Sequence, residues 1–105
     1  MSRYFYVFGY NTPDQSRRND QFGWDDEDSA AVIIEAESED SAREWGQQIA
    51  EEYVKRLFGD QNVSWRKQGF ADRVERIDSA AAAQVSGVPF VERGHYPDWE
   101  DFVRG

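Results

Sequence analysis

Residues 30–59, AAVIIEAESEDSAREWGQQIAEEYVKRLFG, constrain the fold of this chain more than any other stretch. They run a strand, a capped turn and an amphipathic helix together without a gap. Within 30–37, Val32, Ile34 and Ala36 share one face, and Ile33, Glu35 and Glu37 share the other. Ser38 reads as a helix N-cap, with Glu39 and Asp40 at the positive end of the dipole. Ser41 and Glu44 also fit a capping box three residues later. Ala42, Trp45, Ile49, Tyr53 and Leu57 then recur at helical spacing, and Ala50, Val54 and Phe58 widen the stripe. Glu39–Arg43, Glu51–Lys55 and Glu52–Arg56 stand four apart in the favourable order. Lys55 and Arg56 suit the negative end of the dipole, and Gly59 suits a left-handed terminator. Gly46, which costs ~1 kcal/mol against Ala in a helix, implies that a strand backbone approaches closely there.

The flanking segments complete an α+β reading. Residues 3–10, RYFYVFGY, form a strand with Phe5 and Val7 on one side and Tyr4, Tyr6, Phe8 and Tyr10 on the other. Phe5 and Val7 are expected to face the helix, leaving the tyrosines and Ile33 on the opposite face. Residues 11–29 read as a long polar loop, with Pro13, Gly23 and many turn formers. Residues 62–68 alternate through Val63 and Trp65 as a third strand; 70–78 fit a helix through Phe70, Val74 and Ile77 or a strand after Gly69, and the strand is the preferred reading. A short helix at 79–86, an extended edge piece around Pro89 and a final helix at 97–103 follow. The expected order is β-β-α-β-β with short C-terminal helices: one domain over 1–105, a small and mainly antiparallel sheet packed on one long amphipathic helix.

Charge is where this sequence is unusual. The chain carries −9 overall, yet residues 25–52 hold eleven acids and one base, a net of −10. Such a field repels phosphate backbones, so nucleic acid is an unfavoured partner, although Trp65-Arg66-Lys67 puts an aromatic beside bases. It attracts basic proteins and cations. The chain has no cysteine, which removes disulfides, thiolate metal sites and thiol catalysis. No stretch approaches the ~20 apolar residues of a membrane helix. A cytoplasmic protein without a membrane segment is the expectation.

Three sets of residues bear on function. Asp25, Asp26, Glu27 and Asp28 form the densest acidic run, with Phe22 and Trp24 just before it. Consecutive carboxylates point in divergent directions, so no metal is expected there. Phe22 and Trp24 are expected to fold back and pin the loop. Displayed outward, they would instead form a partner surface with the acids, and Tyr4 and Tyr6 would add a second patch, since aromatics are enriched at interface hot spots. His95, the only histidine, with Asp98 and Asp101, offers a polar alternative site. There is no P-loop, GxGxxG, GxSxG or HExxH motif, and no cofactor is expected. The leading expectation is a non-catalytic interaction module of inhibitor, immunity-type or adaptor role that binds a basic protein. The alternatives are a small-ligand or metal-dependent enzyme using clustered carboxylates and His95, and a structural homo-oligomer closed through the tyrosine face.

Overall fold

The 30–59 pattern folds as it reads. In the computed structural model, which describes residues 2–24, 27–77 and 88–99, Ser38 caps a helix over Glu39–Phe58 by accepting from the Ser41 N–H. Gly59 ends it in the left-handed region at φ 64°. A strand over Asp28–Ala36 precedes it. The N-terminal strand covers Ser2–Tyr10, one residue longer than its apolar core suggests.

The segment between these strands is not a loop. Pro13–Phe22 is a helix, and its caps explain it. The Gln15 N–H donates to Thr12 Oγ1 at 3.1 Å, and the Thr12 N–H donates back to Gln15 Oε1 at 3.0 Å. Pro13 starts the first turn with φ already set, and Gly23 closes the last at φ 68°. No residue of this helix is buried. It is polar on every side, so it carries no apolar stripe to advertise it.

The expected strand at 62–68 is also absent. Trp65 is buried, and its indole N–H donates to the Gly9 carbonyl at 2.7 Å. The Glu51 carboxylate accepts from Ser64 Oγ and from the Arg66 N–H, both at 2.8 Å. These bonds hold the chain in a turn that runs into a 3₁₀ turn at Arg66–Gln68. The expected strand at 70–78 is present as Asp72–Ile77, and the extended piece after Pro89 as Phe90–Glu92. The helix expected at 79–86, and the last four residues of the one expected at 97–103, lie outside the described residues.

The elements in chain order are therefore β1 (Ser2–Tyr10), α1 (Pro13–Phe22), β2 (Asp28–Ala36), α2 (Glu39–Phe58), β3 (Asp72–Ile77) and β4 (Phe90–Glu92). The sheet order is β3-β1-β2-β4, with β1 antiparallel to both neighbours and β4 parallel to β2. The fold is a mixed α+β one, with a four-stranded, mainly antiparallel sheet under α2.

The face that meets α2 is the reverse of the one expected for β1. Tyr4, Tyr6, Phe8 and Tyr10 are buried with Val32, Ile34 and Ala36, against Ala42, Ile49, Ala50, Tyr53 and Val54 of α2. Phe5 and Val7 lie on the other side, half-buried, across from Ile33 and Ala31. The register requires this, because Tyr6 pairs with Val32 and Tyr4 with Ile34. Both faces of β1 are apolar, so alternation alone could not choose between them. The rings decide by filling the layer. Phe8 lies 5.9 Å from both Tyr53 and Trp65 and 6.0 Å from both Tyr6 and Tyr10, ring centre to ring centre. Such edge and tilted contacts add to the burial of large rings. Gly46 does mark a close approach, but of a ring: a Cβ there would sit 2.6 Å from Tyr6.

Candidate functional site

Among the described residues, the most exposed large apolar side chains stand at the end of α1. Phe22 and Trp24 stack on each other with centres 4.8 Å apart and planes 28° apart, yet they are 54% and 49% exposed. They do not pin the segment to the body. The left-handed turn at Gly23 lets the two rings fold together outside the core. No residue of α1 is fully buried, both of its ends are capped, and its tip presents the pair.

The acidic run follows at once. Glu27 and Asp28 are exposed, and Asp28 opens β2. The Glu27 carboxylate lies against Gly9 of β1, in space that only a glycine leaves open. Asp25 and Asp26 lie outside the described residues and join Trp24 to Glu27 in sequence. An apolar stack followed in sequence by carboxylates suits a partner that offers an apolar side chain ringed by lysine or arginine.

Tyr4 and Tyr6 belong to the core, at 6% and 0% exposure, so they form no outward patch. The Tyr6 hydroxyl donates to Asp72 Oδ2 at 2.8 Å, below α2. Arg43 donates to the same carboxylate at 2.7 Å and Gln47 at 3.1 Å. Burial raises the Tyr6 phenol far above its ordinary pKa, and the Asp72 hydrogen bond and charge add to it. For Asp72, burial pushes the carboxyl up, but the donors Arg43, Gln47 and Tyr6 and the Arg43 charge outweigh it, so the group sits below its ordinary value. Asp72 is fully engaged, and the network joins β1, β3 and α2.

His95 and Asp98 are both exposed, and Asp101 lies outside the described residues. What His95 contributes is backbone: its carbonyl accepts from Trp45 Nε1 at 2.9 Å. That contact shapes a cleft of about 400 Å3 lined by Ser41, Glu44, Trp45, Gln48, Arg66, Arg93 and Tyr96. The Trp45 and Tyr96 rings lie 5.0 Å apart, and Gln48 Nε2 donates to the Tyr96 hydroxyl at 3.3 Å. Aromatic walls with two guanidinium groups suit a flat or anionic group. The sequence reading missed this cleft because Trp45 falls in the helix stripe and so reads as core. Among the described residues, no three His, Asp or Glu side chains are placed to share a metal ion, and no helix is long and apolar enough to cross a membrane. No family model, curated protein or solved structure matches the chain.

Proposed function

We propose that the protein is a non-catalytic interaction module that binds a basic protein partner through the tip of α1. The observation that carries this reading is the Phe22–Trp24 stack, half-exposed at the end of a helix with no fully buried residue and followed directly in sequence by four acids. A monomer gains nothing in stability from displaying two large rings, whereas aromatic anchors commonly dominate binding energy. The carboxylates would steer the partner, and the rings would hold it. An inhibitor, immunity-type or adaptor role suits such a surface.

The test is chromatography of extract from the native source over immobilised wild-type and variant protein. The wild type is expected to retain a basic protein that salt releases. Phe22→Ala/Trp24→Ala should lose it. Asp25→Asn/Asp26→Asn/Glu27→Gln/Asp28→Asn should release it at lower salt. A ligand retained equally by all three proteins would remove the argument for this surface.

A further inference from the structure

The outer side of β3 is an open sheet edge among the described residues. Its backbone polarity follows from the ladder. The Gly9 N–H donates to the Ala71 carbonyl at 3.1 Å, so Ala71 is turned toward β1. In an antiparallel pair such residues alternate, which turns Arg73, Glu75 and Ile77 toward β1 and leaves the N–H and C=O of Asp72, Val74 and Arg76 pointing outward. The same alternation carried across the sheet turns Ile33 and Glu35 toward β4. The structure has the Ile33 N–H donating to Pro89 and the Glu35 carbonyl accepting from Arg93, both in that sense.

Exposed edges are usually guarded by charge. β3 and the residue before it read Ala71-Asp72-Arg73-Val74-Glu75-Arg76-Ile77, charged at four of seven positions. The order of those charges matters. If a second β3 runs antiparallel to the first with Val74 facing Val74, Arg73 faces Glu75, Asp72 faces Arg76 and Ala71 faces Ile77. Arg73 and Glu75 then meet their opposites, and Asp72, held by Arg43 and Gln47 of its own chain, stands across from Arg76 with no like charge opposed. The outward backbone groups permit two-fold pairings centred on any residue of the strand, but centring on Asp72, Arg73, Glu75 or Arg76 sets that charge against itself. Of the β3 residues, Val74 and Ile77 set no charge against itself on the axis, and only centring on Val74 pairs the strand with itself along its whole length.

We propose that the protein pairs with a second copy of itself through β3, antiparallel and centred on Val74, to make one continuous sheet with both α2 helices on the same side. Opposite residues in an antiparallel pair point to the same face, which fixes the placement of the helices. About six backbone hydrogen bonds would form, from Asp72, Val74 and Arg76 of each copy. Arg73 and Glu75, 65% and 60% exposed and now 3.9 Å apart along their own strand, would fall on non-hydrogen-bonded positions, where facing side chains come closest. This edge uses none of the residues at the α1 tip, so the two proposals stand or fall separately.

Sedimentation equilibrium on the purified protein tests the pairing. The wild type is expected to approach twice 12.2 kDa as its concentration rises. Glu75→Arg sets arginines against each other across the axis and should give the single-chain mass. Arg73→Glu/Glu75→Arg restores opposite pairs and should restore the double mass. Val74→Pro removes an outward N–H while leaving the ladder to β1 intact, so it should stay folded by circular dichroism and sediment as one chain. A wild type that remains a single chain up to millimolar concentration overturns the proposal. So does a double mass that Glu75→Arg and Val74→Pro leave unchanged, or one that the double swap fails to restore.

Discussion

Asp72 ties three elements together with one carboxylate, and its neighbours differ in what they lose without it. Arg43 is half-exposed and can turn to water. The Tyr6 hydroxyl cannot, because its residue is fully buried. Asp72→Ala should therefore cost ~1–3 kcal/mol, most of it from the stranded phenol, whereas Tyr6→Phe should cost only about 0.5–1.5 kcal/mol. In a Tyr6→Phe background the Asp72→Ala cost should shrink. Urea unfolding of the four proteins measures the coupling, and strictly additive losses would contradict this account. The pH dependence has a definite sign. The folded carboxyl sits below its ordinary value, so it stabilises the fold fully above about pH 4 and loses that contribution as the pH falls through the folded value. The stability gap between wild type and Asp72→Asn should be level at neutral pH and narrow in acid.

Among the elements, α1 and α2 show what pattern reading sees and what it does not. α2 was legible because three signals coincide: Ser38 at its start, the Ala42–Ile49–Tyr53 stripe along it and Gly59 at its end. α1 had equally good ends in Thr12, Pro13, Gln15 and Gly23, but no stripe between them. A search led by hydrophobic period passes over such a helix and reports a loop. The error at 62–68 has the opposite cause. Two apolar residues two apart suggested alternation, but Glu51 reaches from α2 to bond Ser64 and Arg66, and this long-range contact sets the local backbone. Because α1 depends on its caps, Thr12→Ala should cost that helix ~0.5–2 kcal/mol. It should barely move the global unfolding midpoint, since α1 places no residue in the buried core. Amide exchange should quicken across 13–22 and stay unchanged in α2. A matching loss in α2 would mean that α1 supports the core after all.

At the scale of the whole molecule, a cluster in sequence is not a cluster in space. The −10 of residues 25–52 reads as one negative region, but β2 divides it. Asp28 opens that strand and Ala36 closes it, and nine extended residues span ~27–30 Å. Asp28 and Glu37–Asp40 therefore stand at opposite ends of the sheet, several times the ~8 Å screening length of physiological salt apart. The exposed stack of Phe22 and Trp24 comes directly before the Asp25–Asp28 run in sequence. The candidate surface was thus legible as residue types, while its extent was not, because extent depends on which way β2 runs. A partner gripping the α1 tip should feel one end of this charge and be blind to the other. Amide replacement at Asp25, Asp26, Glu27 and Asp28 should slow association and flatten its dependence on salt. Glu37→Gln/Asp40→Asn removes charge from the far end and should leave the association rate and its salt slope as they are. Stopped-flow association over a salt series separates the cases. If the far pair slows binding as much as the near run does, the partner spans the sheet, and the tip alone does not define the surface.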